Sequence, residues 1–135
     1  MEREIKISND LNEISVLASF IEELGEELSL SFETTMNINL ALEEAVANII
    51  MYAYPTQEQH TILLRVTYSE KQLVFPLTDK VASFDPTQVD EVDVTLSLEE
   101  RPIGGLGIFL IRSIMNEISY QRIDNENHLI MKKDI

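Results

Sequence analysis

Cysteine and tryptophan are both absent from this chain of 135 residues. Without cysteine the protein has no disulfide, no thiol nucleophile and no zinc site with thiolate ligands. No apolar run is long enough to span a membrane. The N-terminal segment, Met1–Glu4, carries charge where a signal peptide would be apolar. These absences predict a cytoplasmic protein.

Basic residues are scarce. The chain has 10 Lys and Arg against 24 Asp and Glu, a formal net charge of −14. This balance repels phosphate backbones and anionic lipid, so we expect no nucleic-acid or membrane partner. No Lys or Arg lies between Lys6 and Arg65, and within this segment Glu43 and Glu44 differ from the other acidic residues because their neighbours are apolar. The acidic residues of the segment are interpreted either as a solvated helix face or as a surface that attracts a basic partner, and both interpretations can hold at once. These acidic residues are Asp10, Glu13, Glu22, Glu23, Glu26, Glu27, Glu33, Glu43, Glu44 and Glu58.

Glycine and proline are also rare, with 4 of each. Hydrophobic residues make up 44% of the chain, enough for one core, so the length predicts a single domain over residues 1–135. Apolar residues recur at helical spacing in three segments. The predicted helices are Leu11–Leu28, with an Asp10–Glu13 capping box, Phe32–Ala53, capped from Ser31, and a third from the Gly104 turn to about Asn116.

Runs rich in β-forming residues predict the strands. The expected set is a strand at Arg3–Ile7, a hairpin of Thr61–Tyr68 with Gln72–Thr78, and a hairpin of Ile118–Ile123 with His128–Lys132 across the turn Asp124–Asn127. The acidic segment Asp79–Glu100 is weakly patterned and predicts a loop. The predicted fold class is α+β, a two-layer α/β sandwich in which helices cover one face of a mostly antiparallel sheet.

The second helix is apolar almost all round, which is typical of a buried helix. Asn37, Glu44 and Asn48 interrupt it on one face. Burying a carboxylate is costly unless it is paired, protonated or bound to a metal. One interpretation is a structural set of hydrogen-bonded polar side chains. The other is a cleft in which the carboxylate of Glu44 accepts a proton and the amide oxygen of Asn48 binds Mg²⁺.

Two further motifs flank the acidic segment. Gly104-Gly105-Leu106-Gly107 precedes an apolar helix, and a glycine turn at a helix N-terminus can hold phosphate through backbone N–H groups. Asp79 closes a strand, where a carboxylate can accept a hydrogen bond from an exocyclic amine such as that of adenine. Alternatively, the glycines only give flexibility to the start of the helix, and Asp79 with Ser83–Pro86 only forms a turn.

Together, these motifs resemble the GHKL ATPase superfamily, and within it the small bacterial anti-sigma factor serine/threonine kinases. The segment Leu42–Asn48 resembles the N-box of that branch, Asp79–Pro86 its first glycine box and Gly104–Glu117 its second. The resemblance implies a Bergerat (histidine kinase-like ATPase) fold. It also implies binding of ATP with Mg²⁺.

The resemblance assigns roles by position. It implies that Glu44 is the general base, that Asn48 is the Mg²⁺ ligand and that Asp79 contacts the adenine amine. The second glycine box would lie along the phosphates and the segment up to Glu100 would form a lid. The remaining ATP-binding positions are Val81 and Phe84 in the first box, Arg101 near the γ-phosphate, and Gly104, Gly105, Leu106 and Gly107 in the second.

The resemblance further implies that the protein phosphorylates a Ser or Thr of a small STAS-type antagonist, sequesters a sigma factor and forms a homodimer. Two positions depart from the pattern: Tyr52 stands where related N-boxes often have histidine, and Val81 stands where the first box has glycine. A β-branched side chain there hinders approach of the backbone to the nucleotide, so we expect weakened ATP affinity. The alternatives are a non-catalytic binding module and, less favoured, ATP hydrolysis without a protein acceptor.

Overall fold

The computed structural model describes residues 1–53, 60–80 and 105–135. Within these residues the chain forms five strands and three α-helices, so the predicted α+β class is confirmed. In chain order they are β1 Glu2–Ser8, α1 Ile14–Glu27, α2 Phe32–Asn48, β2 Thr61–Ser69, β3 Gln72–Asp79, α3 Gly105–Ile114, β4 Glu117–Ile123 and β5 Glu126–Asp134. A 3-10 turn at Leu11–Glu13 precedes α1, and a π-helical turn at Ile49–Ala53 follows α2.

The strands form one sheet in the order β1-β2-β3-β5-β4, and every neighbouring pair is antiparallel. Alternate residues of the central strands are buried, as expected when one face of a sheet is covered. On β3 these are Leu73, Phe75, Leu77 and Asp79, and on β5 they are Asn127, Leu129 and Met131. The predicted sandwich, with helices over one face of the sheet, is therefore confirmed.

Helix α2 lies in the middle of the helix layer and packs against both α1 and α3. It begins where the hydroxyl of Ser31 accepts a hydrogen bond of 3.1 Å from the Thr34 N–H, which confirms the predicted cap. Its buried side includes Ile38, Ala41 and Leu42. In the part of the chain that the structure describes, every helix is too short or too polar to cross a bilayer.

Three predicted helix boundaries shift. The first helix begins as a 3-10 turn, because Asp10 accepts from the Asn12 N–H at 2.9 Å. The Glu13 carboxylate accepts instead from the Ser8 hydroxyl, so the predicted capping box is wrong. The second helix is α-helical only to Asn48. The third ends before Asn116, whose N–H donates to the Lys132 carbonyl at 2.8 Å and so already pairs with β5.

Both hairpins close through two-residue turns, Glu70-Lys71 and Asp124-Asn125. All four residues have positive φ, with values of 51°, 62°, 52° and 64°, as type I′ turns require. The predicted four-residue turn Asp124–Asn127 is therefore wrong: Ile123 pairs with Glu126, and Asn127 is the second residue of β5. This shift places the Asn127 side chain on the core side of the sheet.

Candidate functional site

A small cavity lies between the α2–α3 pair and one end of β3, β5 and β4. It has room for about one water molecule, about 10 Å³. A nucleotide needs several hundred Å³, so the cavity can form only the inner end of a nucleotide site. Its polar lining consists of Asn48, Asp79, Tyr120 and Asn127, and its apolar lining includes Ala45, Ile49, Ile111 and Leu129.

Asp79 is the last residue of β3 and is only 3% exposed. It continues the row of core-facing residues Leu73, Phe75 and Leu77. A carboxylate therefore occupies a position where the alternation of buried and half-buried residues along β3 predicts an apolar side chain. A carboxylate is costly to bury unless hydrogen bonds satisfy it. The structure thus places Asp79 in a strand and inside the molecule, rather than in a solvated turn.

Asn127 is the hydrogen-bond partner of Asp79 on the neighbouring strand. Its Nδ2 donates to Asp79 Oδ1 at 2.9 Å, and Asn127 itself is 4% exposed. Its Oδ1 accepts from Arg122 Nη1 at 2.9 Å and also from the Tyr120 hydroxyl. The network therefore links β3, β5 and β4 and holds the Asp79 carboxylate in a fixed orientation.

Asn48 lies at the end of α2, is 7% exposed and lines the same cavity as Asp79. The structure therefore brings together two of the predicted site residues. Glu44 lies one turn earlier, where i and i+4 side chains are neighbours about 5–6 Å apart at Cβ. It is half-buried and outside the lining of this cavity. The adjacent Glu43 accepts from Asn39 Nδ2 at 3.1 Å.

The second glycine box coincides with the start of α3. Residues Gly105, Leu106 and Gly107 form its first turn, and Ile111 further along the helix lines the cavity beside Asn48. Gly105 and Gly107 are therefore part of the helix rather than of a turn before it. The N–H groups of a first helical turn have no intrahelical partner and can bind an anion.

Four of the predicted ATP-binding positions, Val81, Phe84, Arg101 and Gly104, lie outside the described residues. Across the three described ranges, no group of three or more acidic or histidine side chains is arranged to hold a metal ion. Mg²⁺ bound with a nucleotide needs only one or two protein ligands, because phosphates and water supply the others. The amide oxygen of Asn48 fits that donor set.

Comparison with known proteins agrees with this arrangement. A family model described as the histidine kinase-like ATPase domain matches residues 7–133. The serine/threonine-protein kinase BtrW of Bordetella bronchiseptica is 29% identical over 129 residues, covering 90% of this chain and 91% of the relative. The serine-protein kinase RsbW of Listeria monocytogenes is 29% identical over 99 residues, covering 70% of this chain but only 63% of the relative.

A solved structure supports the fold. The crystal structure of the RsbU and RsbW domains of a Mycobacterium tuberculosis protein matches with a TM-score of 0.70 at 11% identity, over 99% of this chain and 32% of that one. The predicted Bergerat-type fold is thereby confirmed. Because the family model spans nearly the whole sequence, the chain belongs to the histidine kinase-like ATPase domain family.

Proposed function

We propose that this protein is an ATP-dependent protein serine/threonine kinase of the partner-switching type. The observation that carries the proposal is the meeting of a buried carboxylate, Asp79, and a buried amide, Asn48, at one cavity, one helical turn from Glu44. The relatives that are named serine or serine/threonine protein kinases support it.

The cavity would form the inner end of the nucleotide site, where the exocyclic amine of adenine enters. In this proposal Asp79 accepts a hydrogen bond from the exocyclic amine, and Asn127 keeps its carboxylate in position. Asn48 would contribute an oxygen to Mg²⁺, and the ion would supply positive charge opposite the phosphates. The first turn of α3, Gly105–Gly107, would lie along those phosphates and offer them its backbone N–H groups. Val81, Phe84, Arg101 and Gly104 stay predicted members of the same site.

Glu44 is the proposed general base. The acceptor Ser or Thr oxygen bonds to the γ-phosphorus, the bond from that phosphorus to the β–γ bridging oxygen breaks, and ADP leaves. The hydroxyl proton passes to the Glu44 carboxylate, which is half-buried and so accessible to an acceptor side chain. Most of the rate enhancement in such transfers comes from positioning and charge neutralisation, and a general base adds about 10²–10⁴-fold.

The test is transfer of labelled γ-phosphate from ATP to a STAS-type antagonist protein, for wild type, Glu44→Gln and the neighbouring Glu43→Gln. We expect Glu44→Gln to lose about 100-fold or more in rate while ATP affinity stays close to wild type, since the base does not bind the nucleotide. Glu43→Gln should retain most of the activity. A wild-type protein that binds ATP but transfers no phosphate would contradict the kinase proposal.

A second candidate, a non-catalytic binding module of the same fold, is favoured by Val81 at the position of the expected glycine. It predicts little or no thermal stabilisation by Mg²⁺–ATP, no phosphate transfer and a stable complex with its partner protein. Stabilisation by ATP in preference to GTP supports the kinase, because a ligand of the native state must raise the unfolding temperature. The sigma-factor complex and the homodimer stay predictions, to be tested by sedimentation of the mixed and isolated proteins.

A further inference from the structure

A groove of about 390 Å³ runs between the C-terminal half of α1 and the N-terminal half of α2. We call it the α1–α2 groove; the residues of its lining that matter here are Glu22 and Glu26 from α1 and Phe32 and Met36 from α2. None of them lines the cavity that contains Asn48 and Asp79. The groove is therefore a surface separate from that cavity.

An apolar stripe in contact with solvent begins on the α2 side of the groove at Phe32 and Met36 and continues along α2 beyond the groove to Leu40. Phe32 is 81% exposed, Met36 is 52% exposed and Leu40 is 39% exposed. Residues at i, i+4 and i+8 form one continuous line along a helix. The fold does not need this line for its core, because α2 packs inward through Ile38 and Ala41. Contiguous exposed apolar residues with a polar rim are typical of a protein-binding surface.

The α1 side of the groove is acidic. Glu22 and Glu26 lie one turn apart and both line it, and the whole segment from residue 7 to residue 64 contains no Lys or Arg. A second copy of this chain would bring the same two carboxylates near each other across a symmetric contact, which is repulsive. A positively charged partner would instead be attracted by this rim.

We propose that the α1–α2 groove docks a basic amphipathic helix of a partner protein. The apolar face of that helix covers Phe32, Met36 and Leu40, and its Lys and Arg side chains lie against Glu22 and Glu26. A helix laid into a groove between two helices, anchored by residues at helical spacing, is a recurring mode of peptide recognition. The exposed aromatic ring of Phe32 supplies the largest apolar contact.

The probe is a labelled peptide of about 14 residues, made of leucine and lysine with the leucines on one helical face, and binding is followed by fluorescence anisotropy. We expect the double variant Phe32→Ala/Met36→Ala to raise the dissociation constant about tenfold. The matched control, Leu11→Ala/Val16→Ala, removes two other exposed apolar side chains and should change it by less than about twofold. All substituted positions are exposed, so the variants should fold, which circular dichroism checks.

Two double variants distinguish attraction by the acidic residues of the groove from attraction by the net charge of the whole protein. Glu22→Gln/Glu26→Gln and Glu2→Gln/Glu70→Gln remove the same charge, and only the first pair lines the groove. We expect the first to weaken binding about fivefold at low salt and the second to leave it nearly unchanged.

Three outcomes would overturn the proposal. Equal effects of both charge pairs, or equal binding of a peptide with the same composition in scrambled order, would mean that net charge alone attracts the probe. Loss of a dimer in Phe32→Ala/Met36→Ala would mean that a second copy covers the stripe. Failure of the peptide to bind at all would remove the basic helix as the occupant.

Discussion

Two polar side chains, Asp79 and Asn127, interrupt adjacent rows of core-facing residues on β3 and β5, where they are register partners. The pair is tolerated because each group satisfies the other: the amide donates to the carboxylate and its oxygen accepts from Arg122 and Tyr120. Removing one member deletes hydrogen bonds within this network, and a hydrogen bond to a charged group contributes about 1.5–3 kcal/mol. Stability and ligand binding therefore depend on the same few atoms.

Asn127→Ala tests this dependence. We expect it to lower the free energy of unfolding by about 2 kcal/mol, since it removes the hydrogen bond from Asn127 to the charged Asp79 carboxylate, and to weaken ATP binding in the proposed site. Urea denaturation and titration calorimetry measure the two effects. Gln121→Ala, which removes an exposed amide from β4, should change neither. Wild-type stability and affinity in Asn127→Ala would show that the amide does not support the carboxylate.

The sequence predicted part of this site. Glu44 and Asn48 stand out because they are polar positions in a helix that is otherwise apolar, and Asp79 because it ends a strand. Asn127 was missed, since an Asp-Asn-Glu-Asn stretch is typical of a turn. The available signal was the alternation of β5: counting back in steps of two from Met131 through Leu129 leads to Asn127 on the core side.

At the scale of elements, Gly25 determines how closely α1 and α2 pack. A Cβ atom at this position would lie 2.5 Å from Oγ1 and 2.8 Å from Cγ2 of Thr35, which is closer than side chains tolerate. From the sequence, glycine in a helix indicates only a local weakness of about 1 kcal/mol relative to alanine. The structure shows the compensating contact, which depends on the distance between two helices and is not visible in either helix alone.

Gly25→Ala should therefore destabilise the protein in spite of alanine's higher helix propensity. We expect a loss of about 1–2 kcal/mol in the free energy of unfolding, because overpacking outweighs the gain in propensity. Thr35→Ala removes both of the nearest atoms, so the double variant Gly25→Ala/Thr35→Ala should lose less than the sum of the single variants. Ser19→Ala, at an exposed position of α1, is the control and should be neutral or slightly stabilising. If the losses in the free energy of unfolding of the two single variants added up in the double variant, the proposed clash between an alanine side chain at position 25 and Thr35 would be contradicted.

Element types were easier to predict than element ends. The periodicities of apolar residues identified all three helices and both hairpins within the described residues, since those periods come from one buried face per element. The ends of α3 and of the second hairpin differ because backbone pairing with β5 competes with local preference, as the hydrogen bond from Asn116 to Lys132 shows. Such pairing joins residues far apart in the sequence.

For the whole molecule, the net charge of −14 works against compactness. The ion pair of Arg3 with Glu27, which joins β1 to α1, is substantially exposed and so offsets little of this repulsion. We expect the melting temperature to rise by about 4 °C between about 20 mM and 200 mM NaCl, as screening removes about 1 kcal/mol of self-repulsion.

The control for this salt effect is Glu2→Lys/Glu70→Lys, which reduces the net negative charge at exposed positions outside the proposed sites. Its melting temperature should depend less on NaCl than that of wild type. If the melting temperatures of both proteins depended on NaCl to the same extent, the rise would be due to general salting-out rather than to screening of the net charge.

The layer architecture could be predicted from the sequence, because helices and strands with one apolar face have few ways to bury it. The strand order β1-β2-β3-β5-β4 could not, since the pairing of β3 with β5 crosses α3 and β4 and depends on the register of distant residues. That residues 1–135 form a single domain stays a prediction.

The turn at Glu70-Lys71 reverses the chain with two long, charged side chains in left-handed backbone conformations. Local chemistry does not favour this geometry, which glycine and asparagine adopt more readily. The Lys71 carbonyl accepts from the Ile135 N–H at 2.8 Å, a contact with the residue that follows β5. The conformation of this turn is thus stabilised by the assembled sheet. We therefore expect the β2–β3 hairpin to form late in folding rather than to nucleate folding.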